Sequence, residues 1–416
     1  MFQHLSGLLG NPNIPVRLPN DDTSFNPQDY PNVVFHAQGK ISGKIRLVHG
    51  GIETDDSGKG LVSTRIWIPR QGLEKEVTLQ PVFDQQTLTI TLETPPDWGI
   101  NTRIYHETMI QYPASLTSTG SLSVQSPSTT FSAGVELARL LFGSLKGSFT
   151  NASVETKVLR ADAIQIGTTN ASIRGRFEAG HLNLTSTNGA IETQVKVREP
   201  WDGQQSTVRT RTTNSRIECT VSALETSRGL WMENTSSNGH LEIEALLTKA
   251  DRASFIQNMT SNAKIHLNLD ARNTTQPLEV KQGSSNGNIT SSITLPPNQP
   301  FKGEASSSNS SVDVNLTEEF QGSFILDTSN STATVEGTDL TFSTDKKSSK
   351  RGTRGHGPSE MKISTTNAHS TLRFYKATGA AATEKASDKE KEAKASVAQE
   401  DSTNAPPPYS SMPQNL

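Results

Sequence analysis

Ser-Thr-Asn-Gly-Ala-Ile at residues 186–191, Ser-Ser-Asn-Gly-His-Leu at 236–241 and Ser-Ser-Asn-Gly-Asn-Ile at 284–289 are three copies of one short pattern. Ser or Thr precedes an Asn, a small or polar residue follows, and an aliphatic residue stands three positions after the Asn. The anchors are Asn151, Asn170, Asn188, Asn214, Asn238, Asn262, Asn286, Asn309, Asn330 and Asn367, with successive spacings of 19, 18, 26, 24, 24, 24, 23, 21 and 37 residues. Six positions before the anchor the residue is apolar in every copy except one, where Gly303 stands. Apolar residues two apart, such as Leu182 and Leu184 or Leu267 and Leu269, give the period of two that belongs to strands, and no sustained period of 3.6 competes with it. Each unit therefore reads as two short strands meeting at an Asn corner.

Such a unit cannot fold alone. Ordering its backbone costs roughly 1–2 kcal/mol per residue, while each buried aliphatic side chain returns only about 1.5–3 kcal/mol. Stacking the units lets every strand pair above and below and merges the inward Ile, Leu and Val residues into one core, which is the logic of a solenoid. The sequence thus predicts an all-β fold, a single-stranded parallel β-helix (β-solenoid), with a β-rich N-terminal cap region and a disordered C-terminal tail. Asn suits the corner because it tolerates the left-handed backbone region, Gly189, Gly239 and Gly287 allow a tighter turn, and stacked Asn amides can form a ladder along the axis.

Outward from the repeats, the chain divides into an irregular N-terminal arm at 1–29, a β-rich leader or cap region at 30–115, the repeat solenoid at 116–376 and a tail at 377–416. The last long gap contains KKSSKRGTRGHGP; removing residues 346–358 restores the common period, so this basic segment reads as a loop expelled from one coil. With a net charge of −3 over 416 residues, one basic loop is a weak nucleic-acid signal. Only 32% of residues are hydrophobic and 6% aromatic, which suits a thin core better than a large globular one.

The single cysteine, Cys219, excludes a disulfide framework and occupies the same repeat position as Ile243 and Leu267. The N-terminal segment MFQHLSGLLGNPN lacks the features of a signal peptide, and the longest apolar-rich stretch, at 135–142, is too short to span a bilayer. These features predict a cytoplasmic protein with no membrane span.

The Thr/Ser-Asn-Gly/Ala-x-Ile repeat, preceded by a β-rich leader ending in the IQYPASL segment, resembles the adhesin-like β-solenoid domains of unknown function found in bacteria and, in diverged form, in fungi. The resemblance spans roughly residues 30–376. It implies a β-solenoid and no particular activity.

Two features bear on function. Pro406, Pro407, Pro408 and Tyr409 match the PPxY ligand of WW domains: prolines already near polyproline II geometry dock on an aromatic groove while the tyrosine fills an adjoining pocket. The expected partner is a WW-domain protein resembling ubiquitin ligases, with a further unknown partner on the solenoid face. Parallel β-helices also include carbohydrate-active enzymes, whose chemistry needs convergent carboxylates. Here Glu192, Glu218 and Glu242 share one repeat position but read as a solvated row, and no catalytic, cofactor or metal-ligand constellation emerges. The expected function is a non-enzymatic intracellular scaffold or binding protein. The alternatives are a surface or wall-associated adhesin exported unconventionally and, more distantly, a carbohydrate-active β-helix enzyme.

Overall fold

In a computed structural model the described residues are 16–19, 21–50, 58–70, 72–95, 103–223, 228–248 and 250–376. Most of the N-terminal arm and the whole 377–416 tail, including Pro406, Pro407 and Tyr409, lie outside the described residues. The described part is a β-solenoid. Each coil contributes one strand before the corner and one after it, and the two sets form parallel stacks in register. Before the corner, Leu182, Val208, Met232, Ile256 and Val280 follow one another across successive strands. After it, the file runs Ile191, Ile217, Leu241, Ile265, Ile289 and Val312. All of these are buried between the two sheets, and strands such as Ser206–Thr212 alternate strictly between buried and accessible positions, as the period of two requires.

The order of coils in space is not their order in the chain. At the C-terminal end, Ser359–Thr365 inserts between Phe301–Ser307 and Gly322–Thr328. Ser370–Tyr375 correspondingly inserts between Val312–Thr317 and Ala333–Glu336. At the other end, Asn32–Gln38 lies between Thr87–Glu93 and Ser118–Ser126, and Ile41–His49 lies between Ile104–Tyr112 and Thr129–Ala133. Gly303, the exception in the apolar file, follows from this order: a Cβ there would stand 2.4 Å from Met361 Sδ and 2.7 Å from the Phe301 ring, so its neighbours already fill the site.

Two sequence expectations are corrected here. The leader is not only a cap, because Asn32–Gln38, Ile41–His49, Thr87–Glu93 and Ile104–Tyr112 are strands of the stack itself. The basic 346–358 segment is not simply an expelled loop. Ser349–Arg354 is a strand that runs antiparallel on Gly322–Thr328, and Leu340–Lys346 pairs antiparallel with it in turn. Its charges are partly used: Arg351 pairs with Asp327 at 3.3 Å, Lys350 with Asp345, and Arg354 reaches the Glu318 and Phe320 carbonyls. The opposite end is closed in the same manner by Thr78–Asp84 on Thr87–Glu93 and Gly60–Ile68 on Ile104–Tyr112. Open ends of a parallel stack expose unpaired backbone groups that template further pairing, and antiparallel additions interrupt that template.

Candidate functional site

The ten corner asparagines form one continuous amide ladder. Asn170 donates from Nδ2 to Asn151 Oδ1 at 2.6 Å, Asn188 to Asn170 at 2.7 Å, Asn214 to Asn188 at 2.8 Å and Asn238 to Asn214 at 2.8 Å. The chain of bonds continues through Asn262, Asn286 and Asn309, then to Asn367, and ends at Asn330. The left-handed backbone rationale for these residues is wrong. Among the described residues the positive-φ non-glycines are Gln85, Gln86, Asn298 and Asp339, none of them a corner. Asn is present for its side chain, whose short-armed amide offers both a donor and an acceptor to bridge strands about 4.8 Å apart. The corner glycines likewise serve close approach and not a positive φ: a Cβ on Gly239 would sit 1.5 Å from the Ser215 carbonyl oxygen of the preceding coil.

Backbone pairing sets the pitch that the ladder follows, and aligns outward side chains into columns. After the corner, Glu192, Glu218 and Glu242 are in register on neighbouring strands. Their repulsion is relieved by arginines: Arg174 lies 2.9 Å from Glu192, and Arg216 lies 2.6 Å from Glu192 and 3.1 Å from Glu218. The Arg216 hydrogen bond holds the Glu192 carboxyl below the usual carboxylate range, against the opposing effect of burial. Among the described residues no group of His, Cys, Asp and Glu has the geometry to hold a metal ion.

The sheet preceding the corner carries the more structured surface. One outward column runs Lys146, Gln165, Asn183, Arg209, Glu233, Gln257 and Lys281. The adjacent column runs Ser144, Ala163, His181, Thr207, Trp231 and Phe255. Between them lies a trough of about 170 Å³ lined by Lys146, Gln165, Asn183, Arg209, His181 and Thr207, and kept open by the short side chains of Ser144 and Ala163. His181 is oriented by Thr207 at 3.1 Å and Asp202 at 3.2 Å. Arg209 leans on Glu233 at 3.4 Å. Along the columns, the Trp231 and Phe255 rings meet at 4.5 Å with a tilt of 38°, with Lys281 Nζ 5.5 Å from the Phe255 ring centre and Trp231 37% exposed.

A second, larger cleft of about 450 Å³ opens beside Trp201, bounded by Pro27, Pro31, Ser115, Thr117 and Thr119. Trp201 is 57% exposed, an unusual state for the largest apolar side chain. It is presented by the excursion at 198–205, which is pinned where the Trp201 amide donates to Asp162 at 2.8 Å and Arg228 meets Glu199 at 2.7 Å.

No family model and no curated protein matches the chain. Solved structures do. The chain is similar to bacterial proteins described as adhesins. A "putative cell adhesion protein" from Clostridium sporogenes aligns over 87% of this chain and 100% of its own at 5% identity, with a TM-score of 0.18. A "putative adhesin" from Parabacteroides merdae aligns over 68% of this chain and 92% of its own at 13% identity, with a TM-score of 0.28. One from Bacteroides fragilis aligns over 86% and 97% at 10% identity and 0.18. The functional surface is taken from this chain's own side chains.

Sequence reasoning found the corner asparagines and the glutamate row but missed the trough and the aromatic pair. A signal was present: Trp231 and Phe255 are 24 residues apart, the same interval as the neighbouring corners, which places them side by side.

Proposed function

We propose that this chain is a non-enzymatic binding scaffold that holds an extended ligand along the outer face formed by Leu141–Phe149, Ser206–Thr212, Leu230–Ser236 and the strands between them. The observation that supports it is the pair of columns described above. The paired strands repeat the coil, and on this face the repeat offers a polar trough continuous with the exposed Trp231 and the half-buried Phe255, while Glu192 and Glu218 beyond the corner are paired with arginines. The tail is the second part of the proposal, with Pro406, Pro407 and Tyr409 recruiting a WW-domain protein.

An intracellular setting belongs to the same proposal. Asn170 and Asn330 lie in glycosylation-type sequons, yet both donate their amide N–H to the ladder, so a glycan at either would compete with the corner.

The experiment is a pull-down from cell extract, read by mass spectrometry, with the intact chain, Trp231→Ala, Ala163→Leu, the control Thr220→Leu on the other sheet, and a chain ending at Lys376. Partners lost with Trp231→Ala and Ala163→Leu but kept with Thr220→Leu are expected. WW-domain proteins should disappear only with the shortened chain. Identical recoveries from all five proteins would overturn both parts.

A further inference from the structure

Resting on the binding-scaffold proposal, we infer that the trough is a subsite for an acidic oligosaccharide, a chain of sugar rings carrying carboxylates, laid parallel to the solenoid axis with a neighbouring ring against Trp231. Three observations converge on it. First, the lining is cationic and amide-rich. In one column Lys146 and Arg209 flank Gln165 and Asn183, and His181 faces them from the next column. The nearby acids, Asp202 and Glu233, sit beside His181 and Arg209 and orient them. Amide side chains offer a donor and an acceptor to a ring's hydroxyls, and an Arg takes a carboxylate with paired N–H groups.

Second, the spacing favours sugar over peptide. Side chains in a column repeat every 4.8 Å or so, close to the length of one pyranose ring, whereas an extended peptide advances only about 3.3 Å per residue and would fall out of step within a few coils. Lys146 and Arg209 are three coil steps apart, about 14 Å on that spacing, so carboxylates three rings apart meet both cations. Third, the aromatic pair lies at the Arg209 end of the trough. Trp231 and Phe255 follow Thr207 in the same column, and Trp231 is exposed enough to take the apolar face of a ring.

The test is calorimetric titration of the full chain with tetragalacturonate, cellotetraose and tetraglutamate. Tetragalacturonate is expected to bind at least about tenfold more tightly than the neutral sugar, and Lys146→Gln or Arg209→Gln to weaken it about tenfold with a reduced salt dependence. Trp231→Ala should weaken both sugars by the same factor, and Ala163→Leu, which fills the trough from outside the core, should abolish the difference between them. Each variant is first checked for an unchanged melting curve. Equal affinity for the two sugars, preference for tetraglutamate, or indifference to Lys146→Gln and Arg209→Gln would overturn the acidic-sugar assignment. In that event the scaffold proposal still stands if the pull-down depends on Ala163 and Trp231, and falls with it if the pull-down does not.

Discussion

Replacing Asn238 by Ala removes two ladder bonds at once: the donation to Asn214 Oδ1 at 2.8 Å and the acceptance from Asn262 Nδ2 at 2.8 Å. A net hydrogen bond contributes about 0.5–1.5 kcal/mol, and the corner is open to water, so the groups left behind are rehydrated and carry no burial penalty. The expected cost is therefore about 1–2 kcal/mol in total, from the lower half of the range for two bonds. Asn151, at the end of the ladder, accepts one bond from Asn170, and Asn151→Ala should cost about half as much. A long stack need not unfold in one step, so the assay is amide hydrogen exchange by mass spectrometry, read on peptides covering Leu230–Ser236, Leu241–Leu247 and the coils on either side. At those amides that open locally, exchange should quicken about 5- to 30-fold in Asn238→Ala. Two results would refute the ladder as a source of stability: exchange unchanged within twofold or so, or Asn151→Ala as damaging to its own coil as Asn238→Ala is to the middle.

Gly239→Ala should be more severe than either, at several kcal/mol and with loss of soluble protein, because its Cβ would meet the Ser215 carbonyl at 1.5 Å and backbone must move; a normal melting curve would contradict it. His106 is buried with Thr108 at 2.9 Å and Thr129 at 3.0 Å, and burial lowers its pKa to about 4. The unfolded chain then binds more protons at that residue between about pH 4 and 6.5, so stability falls as pH drops through that window. The loss is at most about 3 kcal/mol; His106→Gln should flatten the slope whatever its absolute stability, and an unaltered slope would show that other groups set it. Cys219 is buried and its thiol is pushed up to about 11, chiefly by burial, so it should resist iodoacetamide at pH 8 and react only in denaturant. Labelling of the native protein would place it at the surface.

What the sequence alone determined was whatever is periodic. A corner every 24 residues or so, an aliphatic file on either side of it and a composition too poor for a globular core leave stacked coils as the way to bury those residues. Each step concerns one unit and its nearest copy, so a single sequence carries it. The order of the coils is a different kind of fact. Asn330 precedes Asn367 in the chain, yet Asn367 bonds Asn309 and Asn330 lies beyond it, because Ser359–Thr365 enters between two coils already adjacent in sequence. Identical corners are interchangeable as ladder partners, so the repeat cannot encode which coil lies next to which. That choice is made by the odd residues: Gly303 making room for Met361, and Ser349–Arg354 covering the Gly322–Thr328 edge. The trough is tertiary for the same reason. Lys146, Asn183 and Arg209 each stand five residues before a corner, and Ala163 stands seven before one, so the repeat sets their columns, but their side chains differ and become one surface only where the paired strands hold them in step.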